Sequence, residues 1–141
     1  MNIIQKNYSQ GVTTSELLFL EIAKELKDPL ARNMACKVEW VDLGEFSKSF
    51  SENSFNKDYF LFPVAIIGKG KPILLLHGFD SCFLEFRRLV PLLERNYQLI
   101  IPDLFGFGFC PRPLNVDYGA EMIFSHLGEI IKKFASSLPL G

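Results

Sequence analysis

The segment ILLLHGFD (residues 73–80) is the most informative part of this 141-residue sequence. Its four consecutive large apolar residues end at a His-Gly pair, which is typical of a short parallel strand buried on both faces of a sheet. Gly78 is expected to let the backbone turn sharply and approach another group closely. Helical spacing follows over residues 82–95. Because open α/β sheets bind ligands at the carboxyl ends of their strands, we expect a site to begin at His77-Gly78-Phe79.

Composition and charge limit the classes to which the chain can belong. Apolar residues make up 48% and charged residues 22%, typical of a globular domain with a core of its own. The net charge is −1 and no basic run occurs, so we expect neither nucleic acid nor a membrane surface as a partner. The apolar runs are far shorter than the roughly 20 residues of a membrane-spanning helix. Three cysteines without CxxC spacing favour a reduced, cytoplasmic location.

The part of the chain before this segment predicts one helix and two strands. A capping-box pattern begins at Thr13 and is followed by apolar residues at four-residue spacing, which indicates a helix over about 14–27. Residues 37–43 alternate polar and apolar, as in a strand with one wet face. Residues 59–67 are also strand-like. Pro63 within them predicts an edge strand or a bulge, because proline cannot donate to a sheet ladder. Two hairpin-like strands that lead into a buried one predict a sheet whose first strands are antiparallel and whose later strands are parallel.

The part after this segment predicts a further strand and a final helix. Pro91 interrupts the helical spacing of residues 82–95, so we expect a kink or a fresh start there. A strand is predicted over 97–101, and a Gly/Pro-rich loop follows over 102–113. Asp117 is the expected N-cap of the last helix. The apolar stripe of that helix is Ile123, Leu127, Ile130, Ile131 and Phe134.

This order of elements resembles the amino-terminal part of an α/β-hydrolase, from about Val38 onward. The first signature of that family, an apolar strand running into His-Gly-X, occurs here at residues 77–79. The second, D-x-x-G-x-G-x-S after the next strand, begins at Asp103, and Cys110 stands where the family usually has serine. The resemblance implies an incomplete α/β sheet whose first strands are antiparallel and whose later strands are parallel, with helices on both faces.

The resemblance also implies an oxyanion site. Phe79 would donate its backbone N–H to the alkoxide of a tetrahedral intermediate, and one such donor is worth roughly 2.7–4 kcal/mol. The loop that presents this donor is His77, Gly78 and Phe79. The side chains expected to contact substrate are Phe79, Phe83 and Phe107. The residues expected to shape the second loop are Asp103, Gly106 and Gly108. The resemblance implies no cofactor and no metal.

The family's nucleophile lies in a G-x-S-x-G elbow, and that pattern does not occur in this sequence. We therefore expect the chain to end before the nucleophile strand, without the nucleophile, acid and base, as a truncated and inactive fragment. The predicted division is a helical extension over 1–36 and a partial hydrolase domain over 37–141. The last parallel strand would then have an open apolar edge, which predicts self-association.

Histidines and cysteines could carry chemistry of their own. His77 could act as a base, but in this motif it is expected to order the loop through hydrogen bonds. His126 is expected to be a surface or boundary residue of the last helix. Cys82 and Cys110 could be nucleophiles, but with no histidine near them in the pattern we favour inert side chains.

Two further patterns have alternative interpretations. Gly106-x-Gly108 could begin a dinucleotide fingerprint, but Pro111 occupies the position of the third glycine and no acidic ribose partner follows. A cluster of phenylalanines could line an apolar pocket, although core packing is favoured. Its members are Phe79, Phe83, Phe86, Phe105, Phe107 and Phe109.

Two functions from different classes remain open. The first is hydrolysis of an ester, amide or C–C bond of a small-molecule substrate, by a Ser-His-Asp/Glu mechanism in the complete form of the protein. The second is a non-catalytic, partner-binding module of the same fold or the product of a decayed gene. Neither alternative identifies the substrate, because this fold hosts many chemistries.

Overall fold

The computed structural model describes residues 13–50 and 60–134, which contain both strands and helices. The strands are β1 (Val38–Val41), β2 (Phe62–Ile67), β3 (Lys71–Leu74) and β4 (Tyr97–Pro102). The α-helices are α1 (Thr14–Lys24), α2 (Pro29–Ala35), α3 (Glu45–Lys48), α4 (Val90–Leu93) and α5 (Ala120–Phe134). A 3-10 helix spans Phe83–Arg88.

The four strands form one mixed sheet in the order β1-β2-β4-β3. β1 pairs antiparallel with β2, and β2 pairs antiparallel with β4. β3 and β4 are parallel, with Ile73 opposite Leu99. The predicted change from antiparallel to parallel pairing along the sheet is therefore confirmed.

Helices cover both faces of the sheet, because the side chains of each strand alternate between two cores. On one face, Ala65 and Leu99 pack with Phe19 of α1 and Met34 of α2. On the other face, strand residues pack with Ile130 of α5. This layering agrees with the predicted fold class. The division at residue 36 stays a prediction.

β3 lies at the edge of the described sheet, and the prediction that it is a central, doubly buried strand is wrong. Its residues are only partly buried, and Leu76 just beyond it is 42% exposed. β4, predicted as the strand with the open edge, lies inside the sheet between β2 and β3. The described sheet therefore has two edge strands, β1 and β3, and the open edge on the parallel side belongs to β3.

The backbone groups on this open edge can be assigned from the ladder. The Leu75 N–H donates to the Ile100 carbonyl of β4 at 3.0 Å. Because the backbone nitrogens of a strand point alternately to its two sides, those of positions 72, 74 and 76 face the open side. Pro72 has no N–H, which leaves a gap in the row of donors and is typical of edge strands.

β2 is an interior strand, so the edge position predicted from Pro63 is wrong. Pro63 pairs with Trp40 of β1, and its carbonyl accepts from the Asp103 N–H at 3.3 Å. The ladder between β2 and β4 ends at Val64 opposite Pro102. The missing N–H of Pro63 thus falls where this ladder stops, and that is why an interior strand tolerates it.

The predicted first helix is confirmed but ends three residues early. The Thr13 hydroxyl accepts from the Glu16 N–H at 3.3 Å, as the capping pattern predicts. Asp28, expected to end this helix, begins another one instead. Its carboxylate accepts from the Leu30 N–H at 2.9 Å, and Pro29 occupies the first turn of α2. Proline fits there because the first N–H of a helix has no partner within the helix.

The break predicted at Pro91 is confirmed. The 3-10 helix ends at Arg88 and α4 begins at Val90, with Pro91 in its first turn. β4 begins at the predicted residue, Tyr97. Within residues 13–50 and 60–134, no helix is long and apolar enough to cross a membrane.

α5 begins at Ala120, so Asp117 is not its N-cap. Its most deeply buried side chains are Ile130 and His126, both 0% exposed. The prediction that His126 is a surface or boundary residue is wrong. The apolar stripe predicted for this helix includes Ile130 but not His126. Histidine was missed because it is not counted as an apolar residue, although it lies on the face that the sheet covers.

Candidate functional site

The loop after β3 is held by His77, whose side chain is buried. The His77 Nε2 accepts from the Leu104 N–H at 3.0 Å. Because Nε2 is the acceptor, the proton lies on Nδ1, which donates to the Gly78 carbonyl at 2.8 Å. Both ring nitrogens are therefore occupied by backbone groups. This arrangement suits a residue that joins two loops and leaves no free nitrogen for a base.

The bond to the Gly78 carbonyl also orients Phe79. The Gly78 C=O and the Phe79 N–H belong to one planar trans peptide, so they point in opposite directions. With the carbonyl directed at His77 Nδ1, the Phe79 N–H is directed away from the His77 ring. Among the described residues it donates no hydrogen bond. An amide N–H held in this way can serve as a donor to an anionic oxygen.

The side chain of Phe79 is 91% exposed. Its ring makes an edge contact with Phe107, with the ring centroids 5.4 Å apart. The centroid of the Phe107 ring in turn lies 6.1 Å from the centroid of the His77 ring. Two of the three aromatic residues predicted to contact substrate thus lie together beside the loop. Phe83 does not fit that prediction, since it is a core residue, 1% exposed, in contact with Phe19 and Phe109.

The chain turns at Phe79 and Asp80, just after Gly78, and Gly78 itself is not left-handed. A Cβ added at Gly78 would meet no atom within 4 Å. The left-handed residue of this loop is Asp80, with φ of 54°. Within the described part of the chain, neither a left-handed φ nor a close contact requires glycine at position 78.

Asp103 ties the second loop together and is completely buried. Its two carboxylate oxygens accept from the Phe83 N–H at 2.6 Å and from the Phe109 N–H at 2.7 Å. Burial raises the pKa of Asp103, and the two backbone hydrogen bonds oppose that rise. The carboxylate therefore connects the start of the 3-10 helix to the loop after β4.

The neighbouring positions of this loop depend on Asp103. Gly108 has φ of +57°, and a Cβ added there would clash with the Asp103 carboxylate. Gly106 has φ of +88°, and a Cβ added there would lie 2.9 Å from the Tyr118 ring. The Cys110 thiol donates to the Asp103 carbonyl at 3.3 Å. Burial raises the thiol pKa of Cys110 well above its usual value, so it remains a neutral donor.

Glu85 contacts the loop after β3, and the sequence analysis missed it. Its Oε2 accepts from the Gly78 N–H at 3.1 Å. Hydrogen bonds from Ser81 and from Gly78 lower the pKa of its carboxyl. No motif marks this residue, because it reaches the loop from the 3-10 helix seven positions later. In the described ranges, no group of three or more His, Cys, Asp or Glu side chains is placed to hold a metal ion.

Comparisons with known proteins match this arrangement to one family. The sequence profile of the alpha/beta hydrolase fold matches residues 71–141. The chain is 37% identical over 68 residues to 2-hydroxy-6-oxo-2,4-heptadienoate hydrolase from Pseudomonas putida, covering 46% of this chain and 25% of the relative. It is 42% identical over 74 residues to Lipase 1 of Psychrobacter immobilis, covering 51% of this chain and 23% of the lipase.

A solved structure gives the same result. The meta-cleavage product hydrolase from Pseudomonas fluorescens IP01 superimposes with a TM-score of 0.50 at 32% identity, over 54% of this chain and 29% of that one. The matched segments correspond to about a quarter of the length of the two curated relatives, 25% and 23%.

Proposed function

The chain belongs to the alpha/beta hydrolase fold family, and from that premise we propose that it supplies the oxyanion loop of a hydrolase. In the complete form, a Ser-His-Asp/Glu mechanism would cleave an ester, amide or C–C bond of a small molecule. This chain alone, which contains no G-x-S-x-G elbow, is proposed to be an inactive fragment of that enzyme, located in the cytoplasm.

One observation carries this proposal: the Phe79 N–H makes no hydrogen bond among the described residues, and its peptide is fixed through the Gly78 carbonyl. A donor that is already oriented loses no reorganisation energy when charge develops on the substrate oxygen. The exposed ring of Phe79 and the half-buried ring of Phe107 would pack against an apolar part of the substrate. The names of the relatives, which include a lipase and a heptadienoate hydrolase, fit a hydrolytic reaction.

A chimera tests the role of the Phe79 N–H. The matching segment of the heptadienoate hydrolase is replaced by this chain's residues, and hydrolysis of that enzyme's own substrate is measured. Phe79→Pro removes the backbone N–H and is expected to lower kcat by about 10²–10³-fold. Phe79→Ala keeps the N–H and is the matched control, with a much smaller expected loss. Equal activity of the proline and alanine variants would contradict the oxyanion assignment.

A second function, binding of another protein strand, is favoured by the open edge of β3. The segment from Ile73 to Leu76 is apolar and only partly buried, and β3 has no neighbour on that side among the described strands. Such an edge can pair with another strand. A second copy of the chain is the simplest occupant, and pairing around a two-fold axis would bring the same apolar segment of each copy together.

Sedimentation velocity tests this self-association. The 141-residue chain is expected to shift from monomer to dimer or larger species as its concentration rises. Leu76→Lys places a charge beside the open edge and is expected to weaken the association. Leu92→Lys, at a 75% exposed position on α4, is the matched control and should leave it unchanged. A chain that stays monomeric over the whole concentration range would argue against this second function.

A further inference from the structure

Gly78 joins two peptide planes, and each is held by a different side chain. The plane on its carboxyl side contains the Gly78 carbonyl, which accepts from His77 Nδ1 at 2.8 Å. The plane on its amino side contains the Gly78 N–H, which donates to Glu85 at 3.1 Å. Glycine is the residue with the greatest backbone freedom, and a Cβ built at Gly78 would meet no atom within 4 Å. The two hydrogen bonds therefore supply the restriction that contacts do not.

We infer that Glu85 is a positioning residue for the Phe79 N–H, acting by holding the peptide that precedes Gly78. The inference rests on the proposed function, because Phe79 matters only if its N–H is the oxyanion donor. His77 holds the plane that contains the Phe79 N–H through one hydrogen bond. Without Glu85 the preceding plane could rotate about the Gly78 bonds, and that single hydrogen bond would be all that opposes reorientation of the Phe79 N–H.

The element that carries Glu85 is itself firmly anchored. At the start of the 3-10 helix, the Phe83 N–H donates to the buried Asp103 carboxylate at 2.6 Å. Further along, Arg87 donates to Asp28 at 2.8 Å, which joins the helix to the start of α2. An exposed glutamate on a rigid element can hold a loop that has little packing of its own. The Glu85 carboxylate is charged near neutral pH, which strengthens its bond to the Gly78 N–H, and that bond is one of the causes that lower its pKa.

NMR on the 141-residue chain tests the inference directly. Glu85→Ala is expected to speed hydrogen exchange of the Gly78 N–H by roughly fivefold or more, since the amide loses its acceptor. The order parameter of the Phe79 N–H should fall from about 0.85 toward 0.6. Glu85→Gln keeps an acceptor oxygen and is expected to restore both values. Glu121→Ala, at an exposed glutamate on α5, is the matched control.

The core amides of Leu99 and Ile101 should exchange at the same rate in every variant, which separates loosening of the loop from global unfolding. In the chimera, Glu85→Ala should lower kcat with little change in KM, and Glu85→Gln should restore kcat. Unchanged exchange and order in Glu85→Ala, or failure of Glu85→Gln to restore them, would overturn the inference. A loop that loosens while kcat stays constant would support the anchoring by Glu85 and overturn the proposed function instead.

Discussion

Replacing Asp103 with alanine is expected to lower the free energy of unfolding by about 2–6 kcal/mol. The substitution leaves the N–H groups of Phe83 and Phe109 without acceptors in a buried site, and each such loss costs about 1–3 kcal/mol. Burial of the carboxylate already carries a cost, as its raised pKa indicates. Removing that charge offsets part of the loss, so we expect a value toward the lower end of this range.

Urea unfolding monitored by far-UV circular dichroism measures this effect. Asp103→Asn keeps a single acceptor oxygen and should fall between the wild type and Asp103→Ala. Asp117→Ala, at an exposed aspartate, is the matched control and should change the unfolding free energy little. If Asp103→Ala were as stable as this control, the carboxylate would not be the tie between the two loops.

A second large effect is expected from His126 when the solution is acidified. Burial lowers the pKa of His126 to about 4, against an ordinary value of 6.5. The unfolded chain therefore binds a proton below pH 6.5 that the folded chain does not bind until about pH 4. The contribution of neutral His126 to the free energy of unfolding is fully present above pH 6.5. It is lost as the pH falls toward 4, by about 3 kcal/mol in all.

The surroundings of His126 explain this sensitivity. Neither ring nitrogen has a hydrogen-bond partner among the described residues. Three aromatic rings surround it, those of Phe46, Phe62 and Phe105, with centroids 5.7, 5.1 and 6.1 Å away. A charge in this apolar setting has no compensating group, so protonation favours release of α5 from the sheet.

His126→Phe isolates the contribution of this residue. The phenyl ring suits an aromatic surrounding and has no nitrogen to leave unpaired, so we expect the variant to be about 1–2 kcal/mol more stable at pH 7. Urea unfolding of both proteins at pH 7, 6 and 5 should show a gap that widens as the pH falls, because the carboxylates titrate equally in each. Parallel curves over this range would contradict the prediction.

Most elements of this fold could be predicted from local patterns. The cap at Thr13 and the break at Pro91 depend on residues a few positions apart, and both are confirmed. The change from antiparallel to parallel pairing followed from a hairpin-like pair of strands before a strand-turn-helix unit. The start of α2 was missed because Asp28-Pro29 is compatible both with the end of one helix and with the start of the next.

Only part of the candidate site could be predicted from local sequence patterns. The motif around His77 and the one beginning at Asp103 identified both loops, because glycines and a fixed spacing mark them in the sequence. That His77 bonds to both loops, through Gly78 and Leu104, required coordinates. Glu85 could not be predicted, since one glutamate on a helical surface has no pattern that distinguishes it from a solvated one.

The sequence by itself determined the type and order of the elements, the two loop motifs and the family to which they belong. Only the tertiary structure decided that β3 is the open edge, that β2 with its proline lies inside the sheet, and that His126 is buried. The reason is physical. Turns, caps and periodicity act over a few residues, whereas the lateral order of strands and the face that a helix buries are set by pairing and packing between residues far apart in the chain.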